Sequence, residues 1–418
     1  MAGVLKRRVF ERRRYPLLRL GPRTGLGKTL VLLARIRSTQ VIQVGRRYHF
    51  SLLEPRWPSE AYDELIARGG LNLGAAGTPA KAQIDLAILA VSASCTYRCG
   101  HCYERPNLDE NEGVPVERWR TLVDELQEIG VGVVVLSGGE PFERFDDVLD
   151  LVRTTDKTRS DVHVHTTGHG ASPERVAALV DAGLAAAGVA LDHPEASRHD
   201  AFRGWPGAFE AATRALRLFA EAGILAYVNC TLTRDLMQDG GLERLHALAR
   251  ELGAGAMQLL EPKPCGAWAG TDLAAVYGPQ ERAAVGEFFE AAHRSARLAD
   301  GPVVYWPGDA ESATNLGCMM GGLSHLHVDS RGHVEPCVFL PVSFGNVLEE
   351  GFATIYRRMR EAVPRPLHAR CPSLQLGERV GFDRGRQPQL PVPYDAVREE
   401  WRRLFAEERP GAEGQGGP

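Results

Sequence analysis

The ten residues CTYRCGHCYE, positions 95–104, place three cysteines within eight positions and offer no fourth cysteine nearby. A structural zinc site closes with four ligands, whereas a reactive metal site keeps one coordination position open. The cysteines directly follow the strand-like run IDLAILAVS (84–92). In a parallel barrel they would lie on the loop at the C-terminal end of that strand, which is the functional edge. Cys95, Cys99 and Cys102 are therefore candidate ligands of a reactive metal centre.

Around this stretch the chain repeats a βα unit from about residue 82 onward. Short β-rich runs alternate with stretches of helical spacing, and the sixth such run ends near residue 262. This alternation predicts a parallel sheet, and strands that are apolar on both faces suit a sheet covered by helices or curled into a barrel. We predict an α/β fold: a partial (β/α)6 TIM-like barrel over residues 81–300, with the alternation ending near residue 300.

The spacing C-x3-C-x2-C, with His101 before the last cysteine, resembles the signature of radical S-adenosylmethionine (radical SAM) enzymes. Three thiolates can hold three irons of a [4Fe–4S] cluster and leave the fourth iron open. In that family S-adenosylmethionine chelates the open iron, and an electron from the cluster cleaves its sulfonium. The 5′-deoxyadenosyl radical then takes hydrogen from the substrate. The alternative is a zinc site whose fourth ligand is His101 or a distant residue.

Further motifs of the same family follow in order. LSGGEPF (136–142) ends the second strand, where the family has its GGE motif. The resemblance implies that Gly138 and Gly139 let the backbone approach the methionine moiety and that Glu140 contacts its ammonium. The other implied S-adenosylmethionine contacts are His101, Thr167 in HTTGHG (165–170), and Asp192 and Arg203 in ALDHPEASRHDAFRG (190–204).

A second set of cysteines, Cys318, Cys337 and Cys371, follows the predicted barrel. GCMMGGLSHLHVDSRGHVEPCVF (317–339) resembles the auxiliary-cluster region called SPASM, or its shorter form Twitch: a cysteine, a hairpin turning near 330–332, then Pro-Cys. A full SPASM region has cysteines for two clusters, so three imply one auxiliary [4Fe–4S] cluster. Its fourth ligand stays open between Cys265, the substrate, water and a non-cysteine side chain. A zinc-bound or metal-free trio is the alternative.

Eight cysteines in 418 residues are too sparse for a disulfide scaffold, and Cys230 in a strand-like run is predicted to be core. No apolar run approaches the length of a membrane span, and the first residues lack the pattern of a secretory signal. The composition therefore predicts a cytoplasmic protein.

The first 50 residues carry thirteen Lys and Arg against the single acid Glu11, a net charge of +12. Such an arm suits nucleic acid, an anionic membrane surface or an acidic partner, or is a solvated basic segment. GPRTGLGKTL (21–30) is not a phosphate-binding loop, because Pro22 stands where the motif needs its first glycine. The amphipathic stretch 26–37 could place the protein at the periphery of a membrane.

The leading hypothesis is a radical SAM maturase or oxidoreductase acting on a peptide or a cofactor-like or tetrapyrrole-like molecule, with flavodoxin or ferredoxin as reductant. One alternative is a membrane-surface radical SAM enzyme acting on a lipid or isoprenoid. Another is a non-catalytic metal- and RNA-binding protein. The predicted parts are a basic accessory region (1–80) with a hairpin and helix, the barrel (81–300), a small C-terminal iron–sulfur extension (301–385), and a linker, terminal helix and disordered tail (386–418).

Overall fold

The computed structural model describes residues 5–8, 40–68, 84–108, 113–294, 298, 301–312, 315–368, 370–380 and 390–406. The stretches 21–30 and 26–37 and the tail beyond residue 408, on which predictions were made above, lie outside the described residues. Within the described ranges, no helix is long and apolar enough to cross a lipid bilayer.

Residues before the barrel form a small antiparallel sheet and a helix, in agreement with the predicted hairpin and helix. Strands β1 (Leu5–Arg8), β2 (Gln40–Val44) and β3 (Arg47–His49) pair in that order. Helix α1 (Glu60–Arg68) follows them. The tight turn between β2 and β3 contains Gly45 with a φ of 57°, a left-handed conformation that favours glycine.

The β2 strand closes the N-terminal end of the barrel. Its Ile42 and Val44 are buried against Ala186, Leu225 and Ala256, each of which begins a barrel strand. Burial of aliphatic side chains is favourable by about 1.5–3 kcal/mol each. The segment from residue 40 is therefore packed into the body of the protein.

The centre of the molecule is a nine-stranded sheet in the order β10-β9-β8-β7-β6-β5-β4-β11-β12. Its first six strands in chain order pair in parallel, as the βα alternation predicted. These strands are β4 (Leu86–Ser92), β5 (Val133–Gly138), β6 (Asp161–Thr166), β7 (Ala186–Ala190), β8 (Leu225–Thr231) and β9 (Ala256–Leu260). The helices that follow them are α2 (Val116–Ile129), α3 (Phe145–Thr154), α4 (Pro173–Asp181), α5 (Ala196–Arg203), α6 (Ala208–Glu221), α7 (Arg234–Met237) and α8 (Gly241–Glu251).

Alternate residues of these strands pack on opposite sides of the sheet. Val134, Val164 and Val228 are fully buried in the core shared with the helices. Their neighbours Val133 and Val135 are equally buried but belong to a separate small cluster. Because both faces are covered, the strands are nearly continuous apolar runs.

A seventh parallel strand continues the barrel, so the prediction that the alternation stops near residue 300 was wrong by one unit. Helices α9 (Leu273–Val276) and α10 (Pro279–Arg294) lead to β10 (Val303–Tyr305), which pairs in parallel with β9. Three strand residues are too few to show a period in the sequence. The short helix α11 (Pro307–Ala310) follows.

The auxiliary region extends the barrel sheet. Strands β11 (His325–Val328) and β12 (Val334–Glu335) form the predicted hairpin, and Gly332 in its turn has a φ of 90°. β11 pairs in parallel with β4, the strand that leads to the first three cysteines. The barrel and the auxiliary region therefore share one sheet.

The end of the chain packs on the auxiliary region. Strand β13 (Val342–Ser343) precedes α12 (Phe352–Ala362) and α13 (Pro372–Val380), and then β14 (Val392–Pro393) leads to α14 (Arg398–Ala406). The described residues 390–393 are not linker, because β14 pairs with β13 and Leu390 packs on the core. Trp401 anchors the predicted terminal helix: its side chain is buried and its Nε1 donates to the carbonyl oxygen of Ala362 at 2.9 Å.

Candidate active site

The first three cysteines lie on the loop that follows β4, at the C-terminal edge of the sheet, as predicted. Cys95 and Cys99 are buried, Cys102 is partly buried, and all three are free thiols. The loop is held by its neighbours: the amide of Gly100 donates to the carbonyl oxygen of Phe202 at 3.3 Å, and Arg105 donates to that of Cys99 at 2.8 Å.

The loop keeps its thiols away from water. Burial raises the pKa of Cys95 and of Cys102 to about 12, so both stay protonated at neutral pH in the absence of metal. Metal binding would displace these protons, because the thiolate is the ligand. The guanidinium of Arg203 lies near the remaining cysteine of the set, with Nη1 3.9 Å from Sγ of Cys99.

Gly138 and Gly139 bring the loop after β5 against the cysteine loop. Gly138 has a φ of 131°, and a Cβ there would lie 2.5 Å from the carbonyl oxygen of Ser92. A Cβ on Gly139 would overlap the carbonyl oxygen of Ser94, next to Cys95. The sequence suggested that the glycines admit the methionine moiety. In the structure they admit the backbone that leads into the cysteines, and the contact with the methionine moiety stays a prediction.

The carboxylate of Glu140 is fully engaged within the protein. The hydroxyl groups of Thr166 and Thr167 each donate to it at 2.6 Å, and the amides of Thr167 and Phe142 donate at 2.8 and 3.1 Å. Burial raises the pKa of Glu140, while these hydrogen bonds act to lower it. A carboxylate offers about four acceptor positions. The predicted contact with the cofactor ammonium would therefore compete with these donors, and it stays a prediction.

Asp192 and Arg203, predicted as separate cofactor contacts, form a buried ion pair. Arg203 Nε and Nη2 each lie 2.6 Å from Oδ2 of Asp192, while the amide of Thr231 donates to Oδ1 at 2.9 Å. Burial opposes ionisation of Asp192, but Arg203 together with His101, His199 and the amide of Thr231 outweighs burial and lowers the pKa of the carboxyl. The pair orients Arg203 toward Cys99.

His101 lies among aromatic side chains that the sequence analysis did not select. Its ring stacks on Phe202 with centroids 4.3 Å apart and lies 5.7 Å from the ring of Trp268. Burial, followed by the charge of Arg203, lowers the pKa of His101 to about 3, so the imidazole is neutral. Its Nδ1 is buried without a hydrogen-bond partner. Phe202 lies in α5 and Trp268 in a short 3-10 helix, and the signal for both was their place in segments that follow barrel strands.

The second set of cysteines converges with Cys265 in the loop after β9. Burial raises the pKa of Cys265, and nearby Cys337, Cys371 and Cys102 raise it further. Burial likewise raises the pKa of Cys318, with Glu311, Cys371 and Cys337 adding to the effect. All of these cysteines are free thiols. Cys265, which lies near Cys337 and Cys371, is thus a cysteine candidate for the fourth ligand that the sequence left open.

The loop of Cys265 also touches the first cysteine loop. The amide of Ala267 donates to the carbonyl oxygen of Cys102 at 2.9 Å, and a Cβ on Gly266 would lie 2.5 Å from Cα of Tyr103. Thus one backbone contact joins the two groups of cysteines.

The donor set fits iron–sulfur clusters. Each group supplies three or four buried or partly buried thiols, and cysteine thiolates are the usual ligands of such clusters. Across the described residues, no three His, Cys, Asp or Glu side chains are arranged around a single metal ion. A cluster binds its thiolates at separate irons and so spaces them more widely than one ion does. The buried Nδ1 of His101 has no hydrogen-bond partner and could bond to a cofactor. Three thiols in the first set would leave one iron of a [4Fe–4S] cluster open for that cofactor.

Comparison with known proteins agrees with this geometry. Residues 89–249 match the model of the radical SAM superfamily, and residues 318–373 match that of an iron–sulfur cluster-binding domain, SPASM. The AdoMet-dependent heme synthase of Nitratidesulfovibrio vulgaris is 27% identical over 288 residues, covering 64% of this chain and 77% of that protein. The PqqA peptide cyclase of Streptomyces rochei is 30% identical over 267 residues, covering 63% of this chain and 70% of that protein.

The crystal structure of Streptococcus suis SuiB bound to S-adenosylmethionine superposes with a TM-score of 0.53 at 14% identity, over 66% of each chain, and so shares the fold. The chain belongs to the radical SAM superfamily and carries a SPASM auxiliary region. It is an enzyme of that superfamily, which uses a [4Fe–4S] cluster and S-adenosylmethionine, with an auxiliary iron–sulfur centre.

When bound, the cluster supplies the electron that cleaves S-adenosylmethionine to the 5′-deoxyadenosyl radical. The protein's own residues exclude water and fix the loops. Cys95 and Cys99 are buried, Arg203 lies against the sulfur of Cys99, and Glu140 ties the loop after β5 to the loop after β6. Side chains held by packing and hydrogen bonds keep a reactive site in one geometry.

Proposed function

We propose that this enzyme takes a hydrogen atom from a substrate bound between the barrel mouth and the auxiliary region, and that the auxiliary cluster then accepts one electron from the substrate radical. The convergence of Cys265 with the auxiliary cysteines, on a loop bonded to Cys102, carries this proposal. In balance, S-adenosylmethionine, one electron and one substrate hydrogen atom yield methionine and 5′-deoxyadenosine. The substrate radical then gives one electron to the oxidised auxiliary cluster, and the resulting cation loses a proton or carbon dioxide to form the product. Flavodoxin or ferredoxin would reduce the catalytic cluster.

In this proposal Cys95, Cys99 and Cys102 hold the catalytic cluster, and Cys318, Cys337 and Cys371 hold the auxiliary cluster. Cys265 supplies the fourth auxiliary ligand. His101, Gly138, Gly139, Glu140 and Thr167 surround S-adenosylmethionine, with Asp192 and Arg203 behind the cluster. Because reduced clusters need a reducing compartment, the proposed place of action is the cytoplasm.

A tetrapyrrole is the first candidate substrate. The similarity to the heme synthase extends over 288 residues and 77% of that protein. A precursor peptide is the second candidate, because the PqqA peptide cyclase is 30% identical over 267 residues. The proposed hydrogen abstraction and electron transfer would apply to either substrate type.

The test is anaerobic turnover of the reconstituted enzyme with S-adenosylmethionine and reduced flavodoxin. One arm offers a tetrapyrrole carboxylic acid, and the other offers short peptides encoded beside its gene. We expect 5′-deoxyadenosine to form in step with an oxidised product in one arm. Deuterium from the labelled substrate should appear in the nucleoside. If reduced, fully iron-loaded enzyme produces no 5′-deoxyadenosine, the proposal is wrong.

A further inference from the structure

A buried group of three side chains, which the catalytic proposal does not use, lies between the two cysteine sets. His327 in β11 is flanked by Glu104 and Glu335, and all three are at most 5% exposed. Nδ1 of His327 lies 2.8 Å from Oε2 of Glu335 in a hydrogen bond. Nε2 lies 3.2 Å from Oε1 of Glu104, an ion-pair distance whose angle falls short of a hydrogen bond.

Each carboxylate sits beside a cysteine. Glu104 stands two residues after Cys102, and Glu335 stands two residues before Cys337. His327 pairs with Glu335 across the hairpin and with Ile88 of β4, so its backbone belongs to the shared sheet. We propose that His327 is a positioning residue that ties the loop of Cys102 to the hairpin of Cys337 and so fixes the separation and orientation of the two clusters. This inference rests on the proposed assignment of the two cluster sites.

The charges of the three side chains strengthen the contact of His327 with Glu104 and Glu335. Burial disfavours the imidazolium, but Glu104 and Glu335 outweigh burial and raise the pKa of His327 to about 10. A buried charge that loses its partner is strongly destabilising, so neither loop can easily leave His327.

Neighbouring contacts restrain the same three residues. The second oxygen of Glu104 accepts a hydrogen bond from the Asn107 amide at 2.9 Å. The ring of Tyr103 meets His327 edge to face with centroids 5.9 Å apart, and its hydroxyl lies 3.3 Å from that of Ser137 on β5. A cavity of about 20 Å³ is lined by His327, Glu104 and Glu335, and also by Cys265. The tie therefore lies beside the contact of the Cys265 and Cys102 loops.

The test compares His327→Gln with the wild-type holoenzyme. The matched control is His325→Gln, because His325 lies on the same strand two residues earlier and its ion-pair contact, with Glu311, is longer at 4.0 Å. Electron paramagnetic resonance of the fully reduced protein measures the magnetic interaction between the two clusters. In His327→Gln we expect the magnetic interaction between the clusters to become weaker on average and to vary more from molecule to molecule, at unchanged iron content. Product formed per 5′-deoxyadenosine should fall about tenfold to a hundredfold, as a displacement near 1 Å can cause.

Glu335→Gln provides a second variant, because it keeps the side-chain shape and the His327–Glu104 pair. It should weaken the interaction between the clusters by less than His327→Gln does. An interaction equal to wild type in both variants, with both clusters loaded, would overturn the inference and leave the proposed function intact. A wild-type enzyme that binds only one cluster would overturn both.

Discussion

The hydroxyl of Thr167 donates a hydrogen bond to the carboxylate of Glu140 at 2.6 Å, which joins the loops after the second and third barrel strands. With Thr166 and two backbone amides, it makes Glu140 a buried acceptor for four donors. The glutamate of the GGE motif is thus part of the architecture of the barrel mouth, independently of any cofactor.

Glu140→Gln is expected to destabilise the protein itself. The amide keeps one acceptor oxygen but turns an NH2 group toward donors, and hydrogen bonds to a charged group contribute about 1.5–3 kcal/mol. We expect the free energy of unfolding, measured by urea denaturation without iron, to fall by about that amount. The exposed Glu117→Gln serves as the control. Wild-type stability together with weaker S-adenosylmethionine binding would instead assign Glu140 to the cofactor alone.

Replacing Cys95, Cys99 and Cys102 together by Ala should remove about four irons per chain and abolish cleavage of S-adenosylmethionine. These thiols would be the only protein ligands of the catalytic cluster. Iron analysis and 5′-deoxyadenosine formation measure the two effects. Cys230→Ala, in the buried core of β8, should keep both at wild-type values. Full iron content in the triple variant would contradict the assignment.

Cys265→Ala should impair the auxiliary centre and spare the catalytic one. The change removes one of four converging thiols, and the catalytic cysteines keep their own loop. We expect loss of up to about four irons, with 5′-deoxyadenosine still formed in the absence of substrate. Combining it with Cys318→Ala, Cys337→Ala and Cys371→Ala should bring the total loss to about four irons and no more, because the four thiols would serve one cluster. If Cys265→Ala keeps its iron content and the spectrum of its auxiliary cluster, a group other than Cys265 is the fourth ligand.

The neutral, partly buried His165 should make the fold less stable in acid. Burial lowers the pKa of His165 to about 4, below the 6.5 of an unfolded histidine, and its Nε2 lies 2.7 Å from the hydroxyl of Tyr227. The unfolded state therefore binds the proton more readily below pH 6.5. The stability is complete above that pH and is lost as the pH falls toward 4, by about 1.4 kcal/mol per pH unit for this residue.

His165→Gln keeps a hydrogen-bonding group near Tyr227 and removes the titration. Its free energy of unfolding should therefore depend less on pH than that of the wild type between pH 6.5 and 4. Denaturant titrations at several pH values measure the two slopes. Equal slopes would mean that His165 does not bind a proton on unfolding.

Several features of this enzyme could be predicted from its sequence alone. The C-x3-C-x2-C spacing places three thiols on one short loop, and the βα alternation requires a parallel sheet with that loop at its C-terminal edge. The hairpin around Gly332 was visible because a glycine in a tight turn leaves a local signal. These features depend on residues close together in the chain, where period, turn chemistry and spacing act directly.

Tertiary structure decided the rest. Cys265 lies 53 residues before Cys318, and nothing local shows that the loops meet. The same holds for Glu140 with Thr167, Asp192 with Arg203, and His327 with Glu104, since a side chain's partner depends on which strands become neighbours. β10 and β14 are two or three residues long, and such short strands form only because an existing edge supplies their hydrogen bonds. Packing between segments that are distant in the chain determines these partners, and local sequence patterns do not show which segments will pack together.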